Sequence, residues 1–93
     1  MYSSTARVPT TSGAKYLTQL CKHWSHKLPV ELTDGRGLVK FESASAEMRA
    51  TPEDLTVKIE AEDPETLERM KGVVARHLDR FAFREAPLPF IWS

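Results

Sequence analysis

The stretch "LTVKIEAEDPET", residues 55–66, decides how this 93-residue chain folds. Leu55, Val57, Ile59 and Ala61 alternate with Thr56, Lys58 and Glu60. A period of two describes a strand with one buried and one wet face. The period then changes. Asp63 suits a helix cap, Pro64 the first helical position, and Glu65 the positive end of the helix dipole. Beyond them Leu67, Met70, Val74, His77, Leu78 and Phe81 recur at spacings of three and four, which draws one apolar stripe along a helix. A half-wet strand is therefore followed by a half-wet helix, and each needs a partner on one side only.

The same two periods run outward from this stretch. "TARVP" (5–9) reads as an opening strand closed by Pro9, which has no amide proton to donate. "TTSG" offers Thr11 or Ser12 as a cap for a first helix that runs to about His26 or Leu28 and stops before Pro29. Its stripe is Leu17, Leu20, Cys21, Trp24 and Leu28. Strand-like runs follow at "VELT" (30–33), "LVKFES" (38–43) and "AEMRA" (46–50). Asp34-Gly35 is a hairpin signal because both turn positions tolerate positive φ. A short Ser/Ala turn joins the next two runs, and "TPED" (51–54) is a turn with Pro52 presetting φ. The tail "LPFIWS" (88–93) offers a last edge strand, with Leu88, Phe90 and Trp92 alternating.

The predicted fold is α+β: a two-layer sandwich with both helices on one face of an antiparallel sheet, in the order β-α-β-β-β-β-α, with a final β if the tail joins. The whole chain, 1–93, forms a single domain. The expected core holds Leu17, Leu20, Trp24, Val57, Ile59, Met70, Val74, Leu78 and Phe81. The other sheet face shows Glu47, Arg49, Lys58 and Glu60 to water.

Bulk properties narrow the partners. Cys21 is the sole cysteine, which excludes an internal disulfide and fits a reducing cytoplasm. Residues 1–15 lack both a charged start and an apolar run, so no targeting signal is read there. No run approaches the roughly 18 apolar residues of a membrane span. Thirteen basic and thirteen acidic residues are interspersed, against the one-sided positive field of a nucleic-acid binder. The expectation is a soluble cytoplasmic domain that binds neither nucleic acid nor membrane.

"CKHWSHK" (21–27) has the composition of a metal box but not its geometry. At about 100° per residue, Cys21 points some 160° from His23 and about 140° from His26. His23 and His26 lie about 60° apart, yet two histidines are too few for a closed zinc site. On the second helix His77 lies about 40° from the centre of the stripe, either as a satisfied core histidine or at the base of a pocket. Arg80 and Arg84 make a basic ridge beside it, which the negative end of the helix dipole accounts for on its own. His23 and Lys27 flank the first stripe on the same rotational side as Arg80 and Arg84 flank the second. Antiparallel helices with these flanks facing would line an anion-binding groove with His23, Lys27, His77, Arg80 and Arg84, unless Glu85 or another acid neutralises it. No nucleophile has a base at a recognisable spacing, no phosphate loop runs from strand to helix, and no carboxylates are forced together. No catalytic residue, metal ligand or cofactor is expected.

"YLTQLCKHWSHK" (16–27), "HLDRFAFRE" (77–85) and the closing tryptophan together resemble a bacterial family known as domain of unknown function 2218. "SSTARVPT" and "LTVKIEAED" fit its layout as well. The resemblance implies no catalytic residues, since the family has no established activity. It implies an accessory role near flavin-dependent siderophore-interacting proteins of iron uptake. The element order also looks like half of a TATA-binding-protein saddle, a likeness of fold that carries no function. Two readings follow: a non-enzymatic accessory domain that binds a small anion or a partner protein, or a small enzyme or metal- or anion-binding protein built on His23, His77 and the nearby arginines. A homo-oligomer formed through an open edge strand or the Trp92 tail is a third arrangement.

Overall fold

The computed structural model describes residues 1–93. Its elements are β1 (Tyr2–Pro9), α1 (Gly13–Trp24), β2 (Val30–Thr33), β3 (Arg36–Lys40), β4 (Ala44–Ala50), β5 (Asp54–Ala61) and α2 (Pro64–Phe81). The strands form one antiparallel sheet in the order β1-β5-β4-β3-β2. Strands β2 to β5 are successive hairpins. Strand β1 joins the far edge of that meander beside β5, so α1 must cross from one edge of the sheet to the other to reach β2.

Alternation sets which face is covered. Val8, Val39, Ala46, Met48, Leu55, Val57, Ile59 and Ala61 point to one side and are fully buried or nearly so. α1 lies over β2, β3 and β4, and α2 over β1, β4 and β5, so both helices sit on that face. The shortest dimension, 19 Å, matches one sheet and one helix layer at about 10 Å each. The stripe residues Leu17, Leu20, Cys21, Trp24, Leu67, Met70, Val74 and Leu78 fill the space between, while Phe81 is half-buried at the rim. The helix comes close where α1 crosses β3: a Cβ built on Gly37 would lie 2.5 Å from Cys21 Sγ. Only glycine lets the helix approach there.

Local chemistry explains most element ends. Gly35 takes φ 72° in the β2–β3 hairpin. Thr51 Oγ1 accepts from the amides of Glu53 and Asp54, closing the turn before β5. Asp63 accepts from Thr66 N at 2.7 Å and caps α2. β1, β3 and β4 begin two or three residues earlier than the sequence expectation, at Tyr2, Arg36 and Ala44, and other details differ as well. α1 ends at Trp24, because Ser25, Lys27 and Leu28 turn their amides back onto Cys21 O and Trp24 O in a tightening turn before Pro29. Ser12 stands at the cap position without a side-chain cap bond; Thr10 Oγ1 accepts from Ser12 N instead. β3 stops at Lys40, since Phe41 turns to bond Ala44 O. The tail forms no full strand: it touches β1 through one bridge, Ala6–Trp92, with reciprocal backbone bonds of 3.2 and 2.9 Å between Thr5 and Ser93.

Candidate functional site

The helices run in opposite directions over the sheet. Tyr16, early in α1, meets Glu85 beyond the end of α2, while His23, late in α1, meets His77 and Phe81. The basic flanks therefore face each other at one point. The His23 and His77 rings are 5.7 Å apart, Trp24 lies 4.9 Å from His77, and Phe81 lies 6.1 Å from His23. Behind them Phe41 meets Trp24 edge-on at 5.0 Å. His23, His77, Arg80 and Phe81 line a shallow cleft of about 180 Å³.

His77 is half-buried, and its Nδ1 is 2.7 Å from Val73 O, one turn back on α2. A carbonyl only accepts, so Nδ1 carries the proton and Nε2 is left to meet water or a ligand. Two of the five anticipated residues stand elsewhere. Lys27 is exposed in the turn after α1, and Arg84 lies beyond α2 with its guanidinium 5.8 Å from the Phe83 ring. Arg84 lines a separate hollow with Lys15, Tyr16, Phe81 and Phe83. Both residues lie past a helix end, where helical angles cease to apply.

The acids of this region are engaged elsewhere. Asp79 accepts from Leu88 N at 2.9 Å and anchors the tail. Glu85 accepts from Thr10 Oγ1 and from the Tyr16 hydroxyl, which ties the end of α2 to the start of α1. That bond to Glu85, with burial, raises the Tyr16 pKa above its ordinary value. No ion pair involves His23, Lys27, His77, Arg80 or Arg84. The helix dipoles supply some counter-charge, about half a negative charge at each C-terminus.

Cys21 lies under α1 against β3, where burial raises its thiol pKa, and it stands apart from the cleft. No group of three or more His, Cys, Asp or Glu side chains is placed to hold a metal ion. No helix is long and apolar enough to cross a membrane. The Tyr16–Glu85–Thr10 tie escapes a reading of the sequence alone. A signal for it exists, since extending the α1 stripe back one turn from Leu20 reaches Tyr16.

A two-layer α+β domain with a bare polar sheet face and a cationic cleft between its helices is the class these features define. The chain belongs to the family described as "Uncharacterized protein conserved in bacteria (DUF2218)", whose model matches residues 5–93. It is similar to PA4090 from Pseudomonas aeruginosa, whose NMR structure is 40% identical in sequence, with a TM-score of 0.86 over 100% of this chain and 96% of that one. No curated protein matches the chain.

Proposed function

We propose that this chain is a non-enzymatic binding domain whose ligand is a small anion, a carboxylate or a phosphate, taken between the helices by His23, His77 and Arg80. One observation carries the reading: two histidines 5.7 Å apart and an arginine share a cleft with no acidic side chain paired to any of them. The surrounding acids, Asp79 and Glu85, are held by other donors. Arg80 supplies the permanent charge and a planar fork; the histidines add donors as they take up protons. The accessory role near iron uptake implied by the family resemblance makes citrate, an iron-chelating carboxylate, the natural second probe beside phosphate.

Histidine ring NMR resonances, followed as phosphate or citrate is added, test the reading. Those of His23 and His77 should move together and saturate toward their protonated positions, while exposed His26 stays put. Arg80→Gln should weaken this response by about tenfold or more, the value of one charge-assisted contact. Unmoved His23 and His77 signals would leave the cleft a core closure with solvated cations.

A further inference from the structure

The register of the sheet sets out a second cluster on the face away from the helices. Thr33 lies opposite Arg36, Arg36 opposite Arg49, Arg49 opposite Thr56, and Thr56 opposite Arg7. One transverse row thus carries three arginines and two threonines across all five strands. Directly opposed like charges such as Arg36 and Arg49 destabilise a sheet. The next row, running Glu31, Leu38, Glu47, Lys58 and Thr5, sits beside it.

Two cations and one acid on this face make no ion pair. Asp54 is hydrogen-bonded to Arg7, Glu47 reaches Arg36 at 3.7 Å, and Glu31 lies 3.9 Å from Lys40. Arg49 and Lys58 make no ion pair, although Lys58 stands opposite Glu47, and Glu60 further along β5 makes none either. Arg49 and Lys58 are diagonal neighbours, within joint reach of one bound group. With Thr5, Thr56 and Glu47 they line a hollow of about 220 Å³. The lining offers a guanidinium fork, an ammonium group and two hydroxyls, beside the Glu47 carboxylate, which lies 3.7 Å from Arg36.

We infer that this hollow is a site for a tetrahedral oxyanion, a phosphate group, bound by Arg49 and Lys58 with the hydroxyls of Thr5 and Thr56. A phosphate takes the guanidinium in bidentate fashion and the ammonium as a point charge. It also supplies a counter-charge for Arg49, since Glu47 reaches Arg36 instead. A local rule broken as the opposed Arg36 and Arg49 break it marks a functional position. The site is independent of the cleft between the helices, on the opposite face of the sheet.

The test is a titration of the whole chain with inorganic phosphate, followed by amide NMR. The amides of Thr5, Arg49, Thr56 and Lys58 should shift together and saturate. Arg49→Gln should weaken this binding by about tenfold or more, as loss of a charge-assisted pair implies. Glu47→Gln should tighten it. Arg49→Gln should also leave the urea midpoint unchanged or raise it, since the like-charge opposition with Arg36 is relieved. Three results would each overturn the site: no saturable shift at these residues, Glu47→Gln that leaves binding equal or weaker, or Arg49→Gln that lowers the urea midpoint. Histidine ring signals report the helix-side cleft separately, so either site can fail without the other.

Discussion

Replacing Gly37 by alanine tests the close approach of α1 to β3. The new Cβ would stand 2.5 Å from Cys21 Sγ, 3.6 Å from Leu17 Cδ1 and 3.9 Å from Leu32 Cδ1. Only the sulfur contact is too short, since carbon contacts are comfortable at about 3.5–4.0 Å. Cys21 is fully buried, so α1 must lift from β3 by about an ångström or the thiol must leave its rotamer. Overpacking of this kind costs about 1–3 kcal/mol, and the entropy saved on losing a strand glycine returns about 0.5–1. A net loss of about 1–2 kcal/mol is expected, against a total stability of about 5–14 kcal/mol for a chain this long. Cys21→Ala alone should cost about 1 kcal/mol by leaving a void. In the double variant the methyl group introduced on β3 fills that void. Its stability should return close to the wild-type value, with a coupling of about 2–3 kcal/mol between the two positions. Urea unfolding followed by tryptophan fluorescence, with the m-value checked for constancy, measures all four corners of the cycle. Costs that simply add, to within about 0.5 kcal/mol, would mean that the sulfur does not set the helix–sheet distance.

Other expectations follow from contacts described above. Trp24→Ala should cost about 3–5 kcal/mol, because the indole fills the space between α1, Phe41 and His77; an unchanged melting temperature would refute its place in the core. The hydrogen bonds from Arg7, and then Thr51, hold the Asp54 carboxyl below its ordinary value. Its contribution is therefore present above the usual carboxylate range and lost as pH falls through the lowered value. Asp54→Asn should be less stable near neutrality and show a shallower acid limb in a stability-versus-pH curve. Tyr16 has the opposite sign: its bond to Glu85 raises it, so stability is full below pH 10.0, its ordinary value, and is lost as pH climbs through the raised one. Tyr16→Phe should remove that alkaline loss and cost about 1 kcal/mol at neutral pH, both measurable by urea titration.

The sequence makes β5 and α2 plain because their periods are clean and Asp63-Pro64 marks the change between them. The sheet's two faces follow from alternation, and the common face of the helices from their single stripes. The end of α1 is harder to read, since Pro29 bounds a helix without saying how many residues before it unwind. The tail misleads through its alternating Leu88, Phe90 and Trp92, which pack on the core and on each other; only Trp92 and Ser93 reach β1. Helical angles place His23 and Arg80 on facing flanks with His77 beneath, but carry Lys27 and Arg84 along past the points where the helices stop. The Arg36–Arg49 opposition is illegible for a different reason. Which residues stand across from each other depends on the lengths of the turns between strands, and a shift of one residue changes every pair.

The reciprocal bonds between Thr5 and Ser93 place the first and last parts of the chain side by side on one edge of the sheet. A few added residues would join them into a ring, and the ring could be reopened at the exposed Asp34–Gly35 tip. Such a circular permutant keeps every contact but changes which ones are distant along the chain. The β2–β3 hairpin, local in the natural order, becomes the longest closure, while β1 comes to lie one helix and a short tail away from β5. Comparing the refolding rates of the two connectivities would separate what the meander contributes to the speed of folding from what it contributes to stability.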